Sequence, residues 1–111
     1  MTGSITEKDW KYLRSIQAEM LATLCQRINE TTASILKAEG QSEHDKYQKS
    51  LQHIRDANGI IASCFNDWRR SVIGVRLISL QGHGLLTETH LQHLSEGARD
   101  YIKWSADLFN K

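Results

Sequence analysis

One stretch constrains the fold of this chain more than any other. From Tyr47 to Ser79 a single series of positions, Tyr47, Leu51, Ile54, Asn58, Ile61, Phe65, Trp68, Val72, Val75 and Ser79, recurs in alternating steps of four and three. The average period is about 3.5 residues, the repeat of a helix that lays one stripe along a partner over many turns. Proline is absent from all 111 residues, which favours long uninterrupted helices. The expected fold is therefore all-α, in one domain.

Three helices are expected, at about residues 7–39, 43–80 and 88–109. The first opens on Thr6 and Asp9, spaced as a capping box with Asp in place of the usual Glu or Gln. Glu7 and Asp9 also put negative charge at the positive end of its dipole. Residues 1–5 read as a loose start. Gly40 is a C-terminal stop and Ser42, followed by Asp45, a second N-cap. So short a connection makes the first two helices an antiparallel hairpin. Asn58-Gly59 is a turn signal inside the second helix. The stripe keeps its phase across it, so the helix is expected to continue there, and a break would give four helices. The Gln81-Gly82-His83-Gly84 loop and the N-cap Thr87 introduce the third helix.

Length divides this hairpin into two halves. At 1.5 Å per residue the first two helices span roughly 50 to 57 Å and the third only about 33 Å. The third helix can cover only the half of the hairpin that holds Phe65 to Leu80. The other half is a two-helix arm carrying Ile28, Ile35, Leu36, Tyr47, Leu51 and Ile54. Its apolar surface is expected to be covered by a second copy, completing a bundle as a homodimer, or by another protein. Asn58 lies on the stripe itself, where a polar residue commonly fixes register or partner number; the alternative is that it marks a bend or faces solvent beside Gly59.

The formal net charge is +1, which gives no compositional argument for nucleic acid or membrane. No apolar leader or membrane-length run is read in the sequence, so a soluble, cytoplasmic protein with no membrane partner is expected. Cys25 and Cys64 read as small hydrophobes with free thiols. Arg55, Arg69 and Arg76 share one heptad position, a possible phosphate-binding stripe, set against a solvated face or pairing with acids such as Glu19 and Asp100. His90 and His93, three apart, are candidates for a shared metal ion, although no metal-binding motif accompanies them. No cofactor is implied.

Arg76 and His83 stand with six residues between them. This spacing resembles the Arg-x(4–6)-His motif of HEPN-type ribonucleases, small helical proteins in which the motifs of two subunits meet at a dimer cleft. The resemblance covers two residues and implies that Arg76 would steady phosphate charge while His83 does acid–base work. Leu77 departs from the polar residue usual after the arginine, and His83 sits between glycines. The function read from the sequence is a protein–protein interaction or oligomerisation module without an evident catalytic site. The alternative is a nucleic-acid-directed protein, either a basic-stripe binder or a HEPN-like ribonuclease.

Overall fold

The first helix, α1, runs Glu7–Lys37, and its start is fixed by the expected capping box. Thr6 Oγ1 accepts from the Asp9 amide at 3.1 Å, and Asp9 Oδ2 accepts from the Thr6 amide at 2.9 Å. The helix ends at Lys37, and Gly40 turns the chain at φ +76. α2, Glu43–Phe65, opens on Ser42, whose hydroxyl accepts from the Asp45 amide at 3.0 Å. It passes through Asn58-Gly59 unbroken. A short 3-10 turn, Arg70–Val72, leads into α3, Ile73–Gly82, then α4, Glu88–Gln92, and α5, Glu96–Phe109. The computed structural model describes residues 5–109, so most of the loose start and the Phe109 side chain lie outside the described residues. Helices cover 82% of the described residues, which include no strand.

Two expected helices are divided. The second does not reach residue 80: it stops at Phe65, and Asp67 turns the chain with φ 54. A short polar side chain tolerates this left-handed backbone better than most. The Arg69 guanidinium braces it, holding the Asp67 carboxylate through two contacts of 2.6 Å. The third helix is interrupted at 93–95, where Ser95 starts α5 by accepting from the Ala98 amide at 3.2 Å.

The core lies at one end. Leu13, Ile16, Met20 and Leu24 of α1 meet Cys64 and Phe65 of α2, Ile73, Leu77 and Leu80 of α3, and Leu94, Ala98 and Ile102 from the α5 region. Arg76 joins α3 to α2 by donating to the Ser63 carbonyl at 3.0 Å. Arg27 ties the loop after α3 to α1, donating to the carbonyls of His83 (2.8 Å) and Gly84 (3.1 Å). At the other end only α1 and α2 remain. The extents are 52 × 32 × 24 Å and the radius of gyration is 16.7 Å. A compact domain of this length would have about 13 Å. The excess comes from the distal two-helix end.

Candidate interaction surface

The stripe that organises α2 in the sequence is not the line that faces α1. The most buried positions of the helix are Ser50, Ala57 and Cys64, one heptad apart, along with Phe65. Their small side chains let the two helices approach closely. His53 lies beside that line, with its Nε2 donating to the Ile28 carbonyl at 3.2 Å. The stripe Tyr47, Leu51, Ile54, Asn58, Ile61 lies to one side, rotated toward solvent. Tyr47 is 63% exposed and Ile54 43% exposed, while Leu51 and Ile61 are half-buried.

Between that flank of α2 and α1 runs a groove of about 310 Å³. Its floor and walls are Cys25, Ile28, Asn29 and Thr32 from α1 and Ile54, Ala57, Asn58 and Ile61 from α2. Apart from the Cys25 thiol the lining holds no ionisable side chain. Of the six interface candidates, Ile28 and Ile54 line the groove. Leu36, on α1, is 52% exposed, and Ile35 is half-buried. The α1 wall was not legible as a stripe. Cys25, Asn29, Thr32 and Leu36 do keep steps of four, three and four, but only Leu36 is strongly apolar.

The remaining candidates are dispersed. Division of the second helix removes the arginine stripe, which existed only if Arg55, Arg69 and Arg76 shared one continuous helix. Arg55 is exposed on α2, Arg69 pairs with Asp67 in the connection, and half-buried Arg76 is engaged by the Ser63 carbonyl. Glu19, weighed as an acid for these arginines, binds His90 instead. Arg76 lies in the first half of α3 and His83 caps its C-terminus, about 10 Å further along the axis, and the His83 residue is exposed.

His90 and His93 do not converge. His90 is buried, and Nδ1 accepts from the Thr87 amide at 3.1 Å, so the imidazole takes the place of the usual carboxylate or amide in a capping box. The ring proton is thereby assigned to Nε2, which donates to Glu19 Oε2 at 2.7 Å. Both ring nitrogens are occupied. The His93 ring packs on Tyr12, with centroids 5.0 Å apart. The Tyr12 hydroxyl is held above its ordinary pKa by burial and by the negative charge of Glu19. Cys64 is fully buried, and burial pushes its thiol up against the smaller opposing pull of Ser63 and Arg76. Among the described residues no group of three or more His, Cys, Asp and Glu side chains is placed to hold a metal ion, and no helix is long and apolar enough to cross a membrane. Comparison with models of known protein families, with curated proteins and with solved structures returns no match for this chain.

Proposed function

We propose that this protein is a helical self-association module, in which a second copy covers the flank formed by α1 and α2. One observation carries the reading: Tyr47 and Ile54, on the coiled-coil-spaced stripe of α2, and Leu36 on α1 are left exposed, and Ile54 lines a groove without charged side chains. Large side chains at seam positions are the knobs such a spacing provides, and the groove is the matching hole. One surface supplies both, as a two-fold, self-complementary contact requires. A lining without charged side chains fits the centre of a protein interface, where charges are depleted.

The area is of the right order. Two adjacent helices about 20 Å wide, over about 22 Å of length, give a footprint near 440 Å². This planar footprint is a little over half of the roughly 800 Å² per partner that stable interfaces bury.

The test is the solution mass by light scattering. The wild type should be a dimer at micromolar concentrations. Ile54→Asp should be a monomer with unchanged helix content, because a carboxylate at an exposed position harms only the assembled state. A monomeric wild type would sink the reading. RNA or DNA binding that weakens steeply with salt would favour the nucleic-acid alternative instead.

A further inference from the structure

Independently of any self-association, we infer that His90 is a proton-sensitive clasp: its neutral imidazole closes α4 against α1, and proton uptake frees the start of α4 while the ring stays on Glu19.

Two imidazoles make hydrogen bonds among the described residues, and they differ in what they need. His53 only donates, from Nε2 to the Ile28 carbonyl at 3.2 Å, a bond open to a charged ring and a neutral one alike. His90 must accept, because the Thr87 amide donates to its Nδ1 at 3.1 Å. A proton on Nδ1 would set one N–H donor against another at the positive end of α4. The Thr87 bond and the charged ring therefore exclude each other. Glu and Gln, the usual residues at this place in a capping box, accept through an oxygen that stays unprotonated near neutrality. Histidine is the side chain whose charge ordinarily changes between pH 5 and pH 8.

The far side of the ring is held in both charge states. Nε2 donates to Glu19 Oε2 at 2.7 Å, and a proton on the ring turns this contact into an ion pair. Among the described residues no lysine or arginine lies within ion-pair distance of Glu19. On α1 the other groups nearby are Tyr12, whose phenol burial and Glu19 keep uncharged, and Asp9, which is turned to Ser95. Arg27, about two turns beyond Glu19, is engaged by the carbonyls of His83 and Gly84. On α4 and its cap they are exposed Glu88 and His93, which packs on Tyr12. Glu19 and Glu88 favour charge on His90, and a protonated His93 opposes it. Proton uptake is thus favoured from the α1 side, and its cost falls on α4, where the Thr87 amide loses its acceptor. A helix of five residues cannot persist on its own backbone bonds. Its loosening uncovers Leu91, half-buried against the core.

Amide hydrogen exchange followed by NMR tests this, with protonation of the His90 ring read from its own C–H shifts. Between pH 8 and pH 5 the protection factor of the Thr87 amide should fall about tenfold in the wild type, the worth of one hydrogen bond, as His90 takes up its proton. In His90→Gln, which restores a usual capping-box residue, Thr87 protection should be the same at both pH values while the other histidines still titrate. Glu19→Gln keeps an acceptor but removes the charge, and should move the fall to lower pH. A His90 ring that stays neutral at pH 5, or one that is protonated with Thr87 protection kept, would overturn the clasp. So would the same fall in His90→Gln, or a midpoint unmoved by Glu19→Gln.

Discussion

Asp9 takes a charge into the interior with no lysine or arginine paired to it among the described residues. It is 2% exposed. Three hydrogen bonds to the carboxylate compensate for its lost water. Its carboxylate accepts from the Thr6 amide and from both the amide (2.8 Å) and the hydroxyl (2.6 Å) of Ser95, while its own amide donates to Thr6 Oγ1. The carboxylate thus lies at two helix N-termini, those of α1 and α5, where backbone dipoles favour negative charge. Burial pushes its pKa up, but the hydrogen bonds from Ser95 and Thr6 outweigh it and hold the carboxyl below the usual value. The unfolded chain therefore takes up the proton first as pH falls. The stabilisation is complete above the unfolded value of about 3.9 and is lost as pH falls through the lower native one. Asp9→Asn should cost about 2–4 kcal/mol in urea unfolding at neutral pH, because either orientation of the amide points its NH₂ at a donor. Below pH 4 the wild type should lose stability more steeply than the variant. Parallel curves there would remove Asp9 from the acid response. The Thr6–Asp9 box is legible as a four-residue spacing. The link to Ser95, 86 positions away, has no signature in a single sequence, because a tertiary hydrogen bond leaves no periodicity behind.

At the scale of the helix, two turn signals behaved oppositely. Asn58-Gly59 is a turn dipeptide, yet α2 continues through it, as the unbroken phase implies. Asn66-Asp67 contains neither glycine nor proline, yet the helix ends there. Phase could not reveal that break, because apolar residues resume at helical spacing after it. The buried line changes nonetheless: Ile73, Leu77 and Leu80 go inside on α3, while Val75 of the expected stripe is 57% exposed. Ser95 marks the other break. Its serine–glutamate start is an ordinary N-cap signal, hidden by the longer apolar series that runs across it. Gly59 allows a direct test of continuity. A Cβ there would meet nothing within 4 Å, so Gly59→Ala should raise stability by about 0.5–1 kcal/mol through backbone entropy and helix propensity. Thermal unfolding that moved downward would mean that Gly59 is needed for a bend or an approach the helix does not show.

The whole molecule has a thick end that covers itself and a thin end that does not. The length comparison in the sequence rested on a second helix reaching residue 80, whereas α2 has 23 residues; the thin end is left to two helices because the chain beyond Phe65 folds back onto the core. What sequence could not give is which face of the thin end stays open. That depends on the small residues Ser50 and Ala57 taking the inner line of α2 and turning Tyr47 and Ile54 outward. Opening free energy should follow the same division, because local stability tracks buried apolar contact. Amide hydrogen exchange can resolve it residue by residue. Amides of α3, α5 and the first half of α1 should exchange slowly at every protein concentration, since their protection comes from the chain's own core. Under the self-association proposed above, amides in residues 31–37 and 43–55 should exchange faster on dilution, as a second copy would stabilise only what it touches. In Ile54→Asp the distal amides should be fast at all concentrations and the core amides unchanged. Distal protection equal to that of the core in the monomeric variant would mean that two helices suffice for this end, and the exposed stripe would lose its role.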